Sequence, residues 1–240
     1  MSNPLLKNNI FKSEQTENNE VMTISGVINK TFILLGLLFY SSIYSLNHID
    51  VFVPLLPYLL IFSFVLAMIL IFKKTISMFL SPIYAICEGL ILGTISLFFE
   101  KMYPGIVFNG IVVTICSLFC MLAAYKTGII KVTQRFKSVM MLSMFSICLF
   151  YIVSLLFNIF GFEFFRNIHN NSNLSIVSSI FISIVASLSL IIDFDLIEHS
   201  IKYKAHKYME WYCAFSLIVT LIWLYIEVIR LLSKLSSNKN

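Results

Sequence analysis

The sequence predicts an all-α polytopic membrane protein, a bundle of seven transmembrane helices. Three observations carry this. Of 240 residues, 59% are hydrophobic and only 12% charged, where a soluble domain carries about 25% charged residues. The mean hydropathy is +0.90. The apolar residues gather into runs of roughly the 20 residues a helix needs to cross a bilayer, and the runs are continuous rather than alternating, which argues against a barrel. This composition speaks against a soluble domain, a nucleic-acid-binding module, a disordered chain and a secreted disulfide scaffold.

Residues 1–24 are rich in Asn, Glu, Lys and Ser. They read as a mostly disordered cytoplasmic tail whose Leu5, Leu6, Ile10 and Phe11 could touch the membrane surface. A single transmembrane domain follows over 25–235, and 236–240 form a short polar C-terminal tail. The expected spans are 26–46, 51–72, 76–99, 105–125, 139–160, 174–197 and 209–232. The breaks at 47–50, 73–75, 100–104, 126–137, 161–173 and 198–208 are polar or turn-forming, and their shortness favours antiparallel neighbours. The first apolar run is long enough to span, so no cleavable signal peptide is read. No strong internal repeat is visible, which leaves an inverted-repeat transporter unsupported.

Loop charge predicts the orientation. The tail and the alternate loops on its side hold Lys7, Lys12, Lys30, Lys73, Lys74, Lys126, Lys131, Arg135, Lys137, Lys202, Lys204 and Lys207, whereas the opposite loops hold Lys101 and Arg166. The N-terminus is therefore expected in the cytoplasm. Seven crossings put the C-terminal end outside with Arg230, Lys234 and Lys239, against that bias. Either that tail is short enough to be tolerated or one segment is re-entrant; seven crossings are the preferred reading.

Ionisable groups within a span are costly and mark candidate sites. Glu88, Asp193, Asp195 and Glu227 qualify, while Glu100, Glu210 and Arg230 lie nearer the ends. Glu88 falls midway along the third span and precedes Gly89 and Gly93, a G-x-x-x-G spacing that lets another helix approach closely. Asp193 and Asp195 are two residues apart, about 200° around a helix, and so point in nearly opposite directions. Asp193 shares a face with Ala186 and Ser189 and is the better interior candidate; Asp195 shares one with Glu198 and His199 nearer water. Glu227 can pair with Arg230 at i,i+3 and lies on the face of Thr220.

Other residue types carry less chemistry. His48, His169, His199 and His206 fall in expected loops and read as surface residues, although His199 could add pH sensitivity near neutrality. Cys87, Cys116, Cys120, Cys148 and Cys213 lie in or beside apolar runs without a C-x-x-C and read as free packing thiols. Ser175, Ser179, Ser183 and Ser187 recur every four residues as a small-residue packing stripe. With no G-x-S-x-G and no histidine in a span, a serine hydrolase is not supported. With no Gly-rich phosphate loop or dinucleotide fingerprint, no enzyme and no organic cofactor are expected.

Several segments together resemble the Bax inhibitor-1 family of seven-span membrane proteins. They are Gly89-Leu90-Ile91-Leu92-Gly93 in the third span and Asp193-Phe194-Asp195-Leu196-Ile197 closing the sixth. A bacterial branch is suggested by Asn3-Pro4-Leu5-Leu6, Tyr84 to Gly89, Tyr103-Pro104-Gly105 and Tyr208 to Tyr212, in an order that covers nearly the whole chain. The resemblance implies a pH-gated calcium leak, in the bacterial inner membrane, whose latch is an aspartate of the sixth span paired with one of the seventh. Asp193 matches the first. Aligned through Arg230, Thr220 stands where the second would be, so the two-aspartate latch does not transfer as it stands.

The substitute expected from the sequence is a joint constriction of Glu88 and Asp193, titrating together and transiently holding calcium, with Asp195 adding charge at the cytoplasmic mouth. Glu227, Arg230, Thr220 and His199 are secondary candidates. Two other readings compete. One is a non-conducting interaction protein that modulates a membrane-bound protease or a stress response. The weaker is a proton-coupled transporter. None involves nucleic acid.

Overall fold

The computed structural model describes residues 21–159 and 173–238. Among these are seven helices long and apolar enough to cross a membrane: α1 (Ile24–Asn47), α2 (Ile49–Phe72), α3 (Ser77–Met102), α4 (Ile106–Lys126), α5 (Gln134–Ile159), α6 (Asn173–Lys202) and α7 (Met209–Ser237). Over the described residues the chain is thus all-α, with the seven long apolar helices of an integral membrane protein.

The turns are tighter than the polar breaks suggest. A single residue, His48, separates α1 from α2, and a 3-10 turn at Lys74–Ile76 leads into α3. Helix α6 runs to Lys202, beyond the expected end at 197, because the polar residues there are still hydrogen-bonded helix where α6 emerges from the apolar layer. The α3–α4 turn needs Gly105 at a φ of 85°, a left-handed conformation that glycine adopts without strain. Glu100 secures this turn by accepting from the backbone N–H of Gly105 at 2.6 Å and of Val107 at 3.1 Å, which satisfies free donors at the start of α4. Most of the 161–173 break and the membrane-touching residues assigned to the tail lie outside the described residues.

Helix α7 is the hub, packing against α1, α3, α4 and α6. Its Ala214, Phe215, Ile218 and Ile222 close one core with Leu34, Leu38, Leu66, Leu70 and Tyr84. Its Leu217, Leu221, Leu224 and Val228 close a second with Ala186, Leu190 and Phe194 of α6. The outward faces carry exposed Phe32, Tyr58, Phe64, Phe79, Phe108 and Phe145, the surface a bilayer would solvate.

The tightest approach joins α1 and α3. Gly89 lies against the Leu38 carbonyl and the Ser41 side chain, and Gly93 lies against the Ser42 carbonyl, with no room for a Cβ at either. Ser45 follows with hydrogen bonds to the Thr94 hydroxyl at 2.8 Å and the Leu90 carbonyl at 3.0 Å. Small residues bring the two backbones together, and hydroxyls then bond across the contact.

Candidate functional site

Asp193 sits on the face of α6 that meets α7. It is buried, with 6% of its surface exposed. Ser216 of α7 donates a hydrogen bond to its Oδ1 at 2.5 Å, and Thr220, one turn further along α7, lies beside the same carboxyl. The second oxygen, Oδ2, is buried with no hydrogen-bond partner. Towards the α6–α7 turn, Leu196 and Ile197, three and four residues beyond Asp193, join an apolar cluster with Met22, Val27, Cys213 and Ile201. The arrangement is a half-satisfied carboxyl buried between two helices.

Asp195 points the other way, towards α5. Its Oδ2 pairs with Lys137 Nζ at 2.5 Å and its Oδ1 lies 3.4 Å from His199 Nδ1. Glu198, one turn beyond, accepts from the Tyr125 hydroxyl of α4 at 2.7 Å. The expectation of a free charge at a mouth is corrected here: the lysine at the start of α5 balances it.

The two carboxyls of the expected Glu88–Asp193 constriction take different partners. Glu88 is half-buried on the α2 side of α3, where it accepts from the Ser63 hydroxyl. Tyr84, one turn earlier and hydrogen-bonded to Glu88, packs edge-on against Phe215 of α7 at 5.0 Å. Glu88 is thus held by Ser63 of α2 and Tyr84 of its own helix, whereas Asp193 is held from α7. Among the described residues no group of three or more His, Cys, Asp or Glu could hold a metal.

Two further polar levels lie on α7. Near its far end, Glu227, 1% exposed, accepts from the Tyr151 hydroxyl of α5 at 2.7 Å and from Arg230 at 3.1 Å. Arg230 also reaches the Tyr151 oxygen at 2.6 Å, and Lys234 bonds the Ser179 hydroxyl at 2.6 Å. One ion pair on α7, Glu227–Arg230, is thus hydrogen-bonded to α5, and Lys234 ties the same end of α7 to α6.

At the near end Glu210, 2% exposed, pairs with Lys30 of α1 and accepts from the backbone N–H of Thr23 at 2.9 Å and its hydroxyl at 3.1 Å. The Met22 N–H donates to the Ala205 carbonyl at 2.9 Å, so residues 21–23, assigned by composition to the tail, are pinned to the α6–α7 turn. Glu210 to Glu227 spans about 25 Å at 1.5 Å per residue, close to the thickness of the hydrocarbon layer. Asp193 meets α7 between these levels.

Replacing Glu210 with Gln would leave Lys30 near a neutral partner and weaken the Thr23 bonds. A loss of about 3 kcal/mol is expected, read as a lowered unfolding midpoint in detergent. Lys30→Met combined with Glu210→Gln should recover part of it, and an unchanged midpoint in the single variant would show that the pair carries no weight.

Sequence reasoning did not single out Ser216, Tyr151 or the Glu210–Lys30–Thr23 anchor. Ser216 was within reach, since it lies four residues before Thr220 and hence on the same face of α7. The anchor joins residues 187 positions apart, a separation that no local pattern reports.

A family model described as Bax inhibitor 1 like matches residues 3–237. Comparison with curated proteins and with solved structures found no match.

Proposed function

The chain belongs to the Bax inhibitor 1-like family, and from that premise we propose that it is a pH-sensitive leak for calcium or another cation, gated by the protonation of Asp193. One observation carries this reading: a carboxyl buried within a span whose Oδ2 no described donor satisfies. An ionised carboxylate in low dielectric is costly when half of it is unpaired. A proton or a cation completes it.

Protonated, the group is neutral and the α6–α7 contact stays closed by the Ser216 hydrogen bond. Ionised, it presents a negative charge beside the Ser216 and Thr220 hydroxyls. Calcium prefers oxygen ligands of this kind, with water completing its shell. Acid removes the charge that draws the cation, so flux falls as the pH falls. Thr220 takes the place of a second carboxyl, and the latch becomes a carboxyl–hydroxyl pair. Glu88 and Asp195 act as structural carboxyls in this scheme. The basic loops face the cytoplasm by the positive-inside rule.

The test is calcium entry into dye-loaded liposomes carrying the purified protein, across roughly pH 5–8. Flux that rises with pH above that of empty liposomes is the expected result. Folded protein that passes no cation at any pH would overturn the reading and favour a non-conducting interaction protein.

A further inference from the structure

A cleft of about 410 Å³ opens between α1 and α4, which each pack on α3 and α7 and leave the space between them unfilled. Its floor is buried and apolar: Leu38 of α1, Leu92 of α3, and Ile218 and Ile222 of α7. Of the four hydroxyl-bearing residues that border it, Ser42, Ser96, Thr114 and Tyr225, the last three are engaged within the protein. Ser96 and Tyr225 bond each other at 2.7 Å, and Thr114 donates to the Gly110 carbonyl at 2.8 Å. The cleft therefore presents an almost wholly apolar lining to an occupant.

Position identifies the occupant. Apart from Leu35 and Leu118, which lie near the helix midpoints, the lining residues of α1, α3 and α4 come from the halves of those helices on the side of the α3–α4 turn, so the cleft opens in one leaflet and reaches inward to the middle of α7. Its rim, Phe39, Ile43 and Ile115, is exposed and continues into the outward-facing Phe108 and Val112. The opening is thus continuous with the surface that faces the bilayer. The volume falls in the range of about 300–1,000 Å³ typical of small-ligand sites. An empty apolar space of this size loses contacts along its whole lining. Water gains nothing there, whereas a hydrocarbon chain fills it.

We propose that this cleft seats one acyl chain of a phospholipid from the leaflet on the side of the α3–α4 turn, with the headgroup remaining at the membrane surface. The chain lies behind α7, on the opposite side from Ser216.

The experiment uses the full chain in phosphatidylcholine vesicles doped with a phosphatidylcholine bearing a photoactivatable group midway along one acyl chain, with labelled positions mapped by mass spectrometry. Labelling of Leu92, Ile218 and Ile222 is expected at several-fold the level of the outward residues Phe62 and Phe64. Thr114→Phe, which projects a ring into the cleft, should lower floor labelling several-fold and leave Phe62 and Phe64 unchanged. Ile115→Trp at the rim serves as a second filling variant should Thr114→Phe unfold. Label confined to outward residues, equal floor labelling in a folded filling variant, or protein–protein crosslinks at the cleft in place of lipid label would each overturn the proposal. None of these readouts depends on cation flux.

Discussion

Asp193→Asn is expected to leave the protein folded and to flatten its cation flux against pH. Asparagine nearly matches the carboxyl in shape and keeps an oxygen to accept from Ser216. It cannot ionise, so the charge that would recruit a cation is absent at every pH. On its titrating limb the wild-type protein should change by up to about tenfold per pH unit; the variant should sit at one low level throughout. Its thermal stability should be equal or higher, because a group that can become an unpaired buried charge has been removed.

Thr220→Asp adds the converse test. It places a second carboxyl beside the first, and two interacting acids release their protons in separate macroscopic steps. Its flux profile should therefore broaden over two transitions. A pH response that survives Asp193→Asn intact would move the gate elsewhere.

Gly93→Leu should be among the most destabilising single changes in the molecule. A side chain at this position meets the Ser42 carbonyl of α1, and that atom cannot move without shifting the helix. The alternatives are separation of α1 from α3 or loss of the Ser45–Thr94 and Ser45–Leu90 hydrogen bonds that depend on their contact. Overpacking of this kind costs about 3 kcal/mol or more.

Gly36→Leu is the matched control. It lies on α1 with nothing within 4 Å of the added Cβ, and should fall within about 0.5 kcal/mol of the wild type. Unfolding midpoints of the two variants in the same detergent would decide the matter: equal values would mean that the close approach contributes nothing.

The sequence by itself determined the number of spans and their places in the chain. The reason is that the bilayer imposes a local requirement: each crossing segment must be apolar over a set length and must satisfy its own backbone. Runs such as 51–72 and 105–125 meet that requirement without reference to any other part of the chain. The opposed directions of Asp193 and Asp195 were legible for a similar reason, since they follow from helical geometry alone.

Only the tertiary structure decided what each polar group faces. The expected meeting of Glu88 with Asp193 rested on comparable depth, but depth says nothing about rotation of α3 about its axis. The Gly89 and Gly93 contacts set that rotation by pressing α3 onto α1, and Glu88, adjacent to Gly89, is left facing Ser63. Asp195 found Lys137 through the packing of α5 beside α6, and Glu210 found Lys30 and Thr23 because α7 lies against α1. Membership of a span follows from the transfer of each residue into lipid, one segment at a time; the partner of a buried charge depends on which helix faces meet, and that is settled by all seven helices together.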